Sequence, residues 1–200
     1  ANPEDGQVWY NSTTGNLRLD GVLVAGSWAS GGALNTSRTD SSGTGATQSS
    51  MVTAGGYTGS ARTVNTELYN GSAWTETGNM STARFAGGMA GTQTAAWYAS
   101  GNTSPGGGRT AATEEFGGTS WTSGGNVNTA RQQTQAQVGG SLTAGIMFGG
   151  NGGPTATEYY DGSSWTTQSG TLNVGRWNAI GTGTQTAAVM AGGEPPSTTN

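Results

Sequence analysis

One phrase recurs along this 200-residue chain, and it limits what the chain can fold into. It reads GSWASGGALNTSR at 26–38, NTELYNGSAWTETGNMSTAR at 65–84, AATEEFGGTSWTSGGNVNTAR at 111–131 and TATEYYDGSSWTTQSGTLNVGR at 155–176. Its tryptophans are Trp28, Trp74, Trp121 and Trp165, spaced by 46, 47 and 44 residues. Its arginines are Arg38, Arg84, Arg131 and Arg176, spaced by 46, 47 and 45. Glu67, Glu114 and Glu158 each stand seven residues before their tryptophan. A period in the forties marks a repeat architecture, in which no unit covers its own apolar face and neighbours must supply the cover.

Each period contains a short apolar run ending in small residues: SSMVTAGG (49–56), TQTAAWYASG (92–101), SLTAGIMFGG (141–150) and TQTAAVMAGG (184–193). A Gly/Ser/Pro-rich loop follows, then TELY, TEEF or TEYY. An Asn-Gly, Gly-Gly or Asp-Gly pair then turns the chain into the Trp strand, as hairpins needing positive φ require. After the arginine, a Gly/Ala-rich strand returns to the next apolar run. No useful length shows a 3.6-residue apolar period. The sequence therefore predicts an all-β chain with four short strands per period, the blades of a β-propeller. Glycine, alanine and threonine suit inner strands crowded around an axis.

Segment 21–28 supplies a Trp strand without its di-glycine strand, and 184–193 supplies the converse. Together they make a fourth blade, so a closed four-bladed ring is expected. The alternative is an open array completed by another copy. Residues 1–20 lie outside the repeat and predict a hairpin turning through Asn-Ser-Thr-Thr-Gly. The expected division is an attachment segment at 1–20 and a propeller at 21–200.

Composition removes several kinds of chemistry. Leu, Ile, Val and Phe make up about a tenth of the chain, the net charge is −4 and charged residues are 9 %. There is no Cys, so disulfides and thiolate metal sites are excluded. There is no His, the commonest general base and metal ligand. Every basic residue is Arg, so Schiff-base lysine chemistry and the lysine of a phosphate loop are excluded. No basic patch invites nucleic acid, and no apolar run is long enough to predict a membrane-spanning helix.

The di-glycines Gly55–Gly56, Gly149–Gly150 and Gly192–Gly193, with the Glu-x-aromatic strand, the Trp and the downstream Arg, resemble the kelch repeat family over residues 21–193. Ser100–Gly101 stands in place of one di-glycine, and Gly21 stands where the first period would carry Glu. The resemblance implies a kelch-like β-propeller that serves as a binding scaffold. Asp5-Gly6-Gln7-Val8-Trp9-Tyr10-Asn11 is similar to a short module of bacteriophage tail-fibre and virion proteins. The GTQTAA phrases in a Lys-free chain are similar to repeats of phage structural proteins. Those likenesses imply a non-enzymatic virion structural protein, part of a tail fibre or surface appendage on the particle surface. Its implied partners are other virion subunits in a homo-oligomer and a host-surface glycan, with no cofactor and no metal. An extracellular adhesin or filament subunit secreted by a cell is the alternative, and a glycan-processing enzyme ranks last.

Residues present in every period are expected to be architectural: the four tryptophans as wedges between blades, and the arginines and glutamates as ties between strands. Residues that break the repeat are the candidate glycan ligands. These are Tyr57, Arg62 and Arg109 in the loops, and Trp97, Tyr98 and Trp177, which put aromatics where sister periods hold small or polar residues. Glu114 and Glu115 are adjacent, so on a strand they face opposite sides and cannot flank one glycosidic bond. YDGSSW (160–165) superficially resembles a sialidase Asp-box, but its sister copies carry Asn70 or Gly117 in place of Asp161.

Overall fold

A computed structural model describes residues 8–11, 13, 16–19, 29–134, 138–151 and 154–195. The described residues contain strands and turns and no helix. The chain divides into residues 1–30 and 31–200. The sequence division fell at 20/21. The expected strand at 21–28, with Gly21 and Trp28, lies outside the described residues.

In the first unit, β1 (Val8–Asn11) pairs antiparallel with β2 (Asn16–Leu19) from Asn11↔Asn16 outward. Of the predicted Asn-Ser-Thr-Thr-Gly turn, Ser12, Thr14 and Gly15 lie outside the described residues.

The second unit is a succession of antiparallel meanders. Sheet 1 runs β3 (Ser42–Thr47), β4 (Ser50–Ala54), β5 (Thr66–Tyr69), β6 (Trp74–Glu76). Sheet 2 takes β7 (Gly88–Thr92) and β8 (Ala95–Ala99) and then admits a small hairpin, β9 (Asn102–Ser104) with β10 (Gly108–Arg109). It is completed by β11 (Thr113–Phe116) and β12 (Trp121–Gly124). Sheet 3 runs β13 (Val138–Ser141), β14 (Ala144–Phe148), β15 (Thr157–Tyr160), β16 (Trp165–Thr167). Last come β17 (Ile180–Thr184) and β18 (Ala187–Ala191), a pair with no third strand among the described residues. The sequence set four strands in each period, and three sheets have them. The turns into the Trp strands place Gly71, Gly118 and Gly162 at φ of 96°, 94° and 95°, which a side chain rarely adopts.

The core lies between successive sheets. Val52, Met80, Met89, Tyr98 and Phe116 pack between sheets 1 and 2, and Trp97, Val127, Met147, Tyr160 and Trp165 between sheets 2 and 3. Each large side chain so buried contributes about 1.5–3 kcal/mol. The outer-strand tryptophans fasten these contacts. Trp121 packs its ring, tilted by 39°, against Phe116 in its own sheet and donates its indole N–H to Thr66 Oγ1 of the preceding sheet at 2.9 Å. Trp165 stacks on Tyr160 and donates to Thr113 Oγ1 at 2.9 Å.

The Gly-rich strands β3, β7, β13 and β17 pack side by side and line one cavity of about 420 Å³, through Gly43–Gly45, Met89–Gly91, Gly139–Gly140 and Gly181–Gly183. Their approach is close. A Cβ on Gly139 would stand 2.7 Å from the Gly183 carbonyl oxygen.

β18 breaks the burial pattern. Its counterparts β8 and β14 bury four of their five residues, whereas Ala187, Ala188 and Val189 are exposed. Beside it lies a cleft of about 150 Å³ lined by Ile146, Phe148, Thr157, Leu172, Ala188, Val189 and Met190. Thr157 precedes Glu158 as Thr66 precedes Glu67 and Thr113 precedes Glu114, so the cleft stands where the other interfaces receive an indole.

Candidate functional site

The repeated residues form one stitch between sheets. Gly56 donates its N–H to the Arg84 carbonyl at 3.0 Å, and the Arg84 guanidinium bonds Glu114 of the next sheet at 2.9 Å. Gly101 donates to the Arg131 carbonyl at 2.9 Å, and Arg131 pairs with Glu158. Arg38 pairs with Glu67 at 3.0 Å. Gly150 donates to the Arg176 carbonyl at 2.8 Å, and that guanidinium donates to the Gly192 and Gly193 carbonyls. The other carboxylate oxygen accepts backbone N–H groups: Asn35 at 2.8 Å, Ser81 at 2.7 Å and Asn128 at 2.6 Å. All three pairs are buried, and desolvation pulls the Arg38, Arg84 and Arg131 guanidinium pKa values down from their ordinary value. Di-glycine, arginine and glutamate are thus parts of one device.

A second link had no motif to betray it. Asp40, Ala86, Gln133 and Asn178 each follow their arginine by two residues and adopt left-handed φ of 51–59°. Ala86 donates its N–H to the Asp40 carbonyl at 2.9 Å, and Gln133 donates to the Ala86 carbonyl at 2.6 Å, stepping from one connector to the next.

The residues that vary between repeats gather just beyond these links. The residue after each arginine bridges the residue after each di-glycine position: Thr39 with Tyr57, Phe85 with Asn102, Gln132 with Asn151, Trp177 with Glu194. Tyr57 also bridges Arg62, and its ring lies 5.8 Å from that of Phe85. Arg62 lies over the Phe85 ring at 5.3 Å and donates through Nε and Nη2 to Asn102 Oδ1 at 3.3 and 3.0 Å. Asn102 Nδ2 donates to Gln132 Oε1 at 2.7 Å. Arg109, directly across the β9–β10 hairpin from Asn102, donates to Asn151 Oδ1 at 2.6 Å. Asn151 Nδ2 donates to Gln133 Oε1 at 2.6 Å.

Three of the six candidate ligand residues, Tyr57, Arg62 and Arg109, therefore share one face. Trp177, half-buried, takes the equivalent place on the β17–β18 connector. Trp97 and Tyr98 are a correction, since both are fully buried and offer no surface to a ligand. β8 is an inner strand with sheets packed on both sides, so its side chains are covered whichever way they point. Trp97 enters sheet 3, where Gly145 leaves room, donates to the Ser141 carbonyl at 3.0 Å and meets Trp165 edge-on at 5.1 Å. Tyr98 lies under the Arg84 guanidinium at 4.9 Å, and its hydroxyl accepts the Gly87 N–H at 3.2 Å.

Sequence reasoning missed Phe85, Asn102, Gln132 and Asn151. The signal available was their place one residue after an arginine, where Thr39, Phe85, Gln132 and Trp177 all differ, or one residue after a di-glycine position, where the periods carry Tyr57, Asn102, Asn151 and Glu194. Glu114 and Glu115 do face opposite ways: Glu114 takes Arg84, and Glu115 accepts the Tyr160 hydroxyl of sheet 3. Asp161 caps its own turn, accepting the Ser163 and Ser164 N–H groups at 2.8 Å. Among the described residues, no three His, Cys, Asp or Glu side chains stand together as a metal site would need. No family model and no curated protein matches the chain.

Proposed function

We propose that residues 31–200 belong to a four-bladed kelch-like propeller that works without catalysis in a virion appendage, assembling with further copies and presenting its variable loops to a host-surface glycan. One observation carries this reading. The residues common to all periods are spent on joining sheets, while the residues that differ collect on a single loop face with an aromatic ring, two guanidinium groups and amides. Such a mix of flat apolar surface and fixed hydrogen-bonding groups suits a sugar ring.

The propeller itself is supported by four inner strands lining one cavity and by the cleft at Thr157. The outer strands that β17 and β18 would need are those the sequence writes at 21–28, with Trp28 as the counterpart of Trp121 and Trp165. A Trp28→Phe, Thr157→Val double-mutant cycle tests that closure. A coupling of about 1 kcal/mol supports it, and strict additivity overturns it. For the function, electron microscopy of the native particle labelled with an antibody to this chain should decorate an appendage. Label confined to the surface of an uninfected producing cell would favour the secreted adhesin instead.

A further inference from the structure

The chain's arginines are unequally provided for. Arg38, Arg84 and Arg131 each have a buried glutamate. Arg62 and Arg109 have no carboxylate among the described residues, and both lean on neutral amide oxygens instead. They also share a neighbour. Arg109 is the register partner of Asn102, and the Asn102 amide oxygen is what Arg62 grips. Asn102 thus has one cation on its amide oxygen and a second beside it in register, Arg109, which reaches on to Asn151, in a chain of net charge −4. Like charges drawn together without a counter-ion work against the fold, and an anion between them reverses the sign.

The Arg62 guanidinium is also fixed in advance. It rests on the Phe85 ring, and its Nε–Nη2 edge is pinned by Asn102. Asn102 is 5 % exposed and is itself held by Gln132 Oε1 and by the Ser104 N–H at 3.1 Å. Among the described residues Arg62 Nη1 has no acceptor, and Arg109, which is exposed, engages only its Nη2. A planar carboxylate matches a guanidinium edge, and little side-chain entropy is left to lose on binding.

From this we infer that the Tyr57–Arg62–Asn102–Arg109 face takes an acidic sugar, with the carboxylate held by the two guanidinium groups and the ring laid against Tyr57. The inference rests on the glycan-presenting reading and names its substrate class. The test is calorimetric titration of the full chain with oligosaccharides ending in a uronic or sialic acid, with the same sugars reduced at the carboxyl to the alcohol, and with sulfated counterparts. The acidic sugars should bind at least about tenfold more tightly than the reduced ones, and the gap should narrow as salt rises from about 50 to about 500 mM. Arg62→Gln and Arg109→Gln should each remove that preference. Arg109 is exposed, so its variant decides the matter even if loss of Arg62 disturbs the loop. Equal binding of acid and alcohol would overturn the acidic-sugar assignment and leave the glycan face standing. Tighter binding of the sulfated sugars would replace the carboxylate with a sulfate. No binding to any of them would bring down both readings.

Discussion

The Arg84 guanidinium reaches the Glu114 carboxylate at 2.9 Å, with 0 % and 5 % of the two side chains exposed. The same arginine accepts the Gly56 N–H on its carbonyl and faces the Tyr98 ring. One residue therefore holds two sheets. Arg84→Met leaves Glu114 buried without its cation and should cost about 3–5 kcal/mol in urea unfolding. Glu114→Gln added to it removes the stranded charge, keeps an acceptor for the Ser81 N–H and should return at least about 1 kcal/mol. Equal losses in the single and double variants would show that the charge left on Glu114 carries no penalty of its own.

Ser100 stands where the other periods carry the first glycine of the pair, and it takes the same left-handed backbone. Its φ is 62°, against 65° at Gly55, 65° at Gly149 and 69° at Gly192. Its buried hydroxyl has no hydrogen-bond partner among the described residues. Ser100→Gly relieves both and should stabilise the protein by about 1 kcal/mol. For a chain of this size the melting temperature should then rise by roughly 2–4 °C. A fall would mean that serine makes a contact worth more than the strain.

Periodic residues were the legible ones. A tryptophan, arginine or glutamate repeated at 44–47 residues could be read as architectural before any coordinates, because repetition at a fixed period points to a contact between neighbouring units. The candidate face was half legible. Arg62 and Arg109 stood out because they break the repeat, but Asn102 and Asn151 looked like ordinary loop residues in an Asn-rich chain. Their importance comes from side-chain hydrogen bonds made across 30–42 residues. Trp97 and Tyr98 broke the repeat too, and misled. An unrepeated aromatic can equally be a packing piece matched by an unrepeated small residue elsewhere, here Gly145. The left-handed Ala86 was invisible, since alanine advertises no such backbone, whereas Asp40 and Asn178 at the sister positions are types that tolerate it.

That match between Trp97 and Gly145 can be broken from either side. A Cβ on Gly145 would stand 2.5 Å from Trp97 Nε1. Gly145→Ala should therefore cost about 1–3 kcal/mol by overpacking. Trp97→Leu alone opens a void between sheets 2 and 3 and should cost a comparable amount or more. Combined, the two should cost clearly less than their sum, because the shorter side chain vacates the space that the methyl needs. Additive losses would show that Gly145 is required for its backbone and not for Trp97.

Alkaline solution should unfold the protein earlier than its composition suggests. Burial raises the Tyr98 hydroxyl above the ordinary tyrosine value of 10.0. Burial first, and then the hydrogen bond to Glu115, raise Tyr160 as well. Both groups keep their protons in the folded chain and release them in the unfolded one. Their contribution to stability is complete below about pH 10 and is lost as pH climbs through the raised folded values. The urea midpoint should fall steadily from about pH 10 upward. The phenolate absorbance of these two residues should appear with unfolding and not before it. Tyr160→Phe strands the Glu115 carboxylate and should lower stability at neutral pH, yet make the alkaline decline shallower. If every tyrosine of the folded protein titrates at its ordinary value, the buried hydroxyls are not what limits its alkaline range.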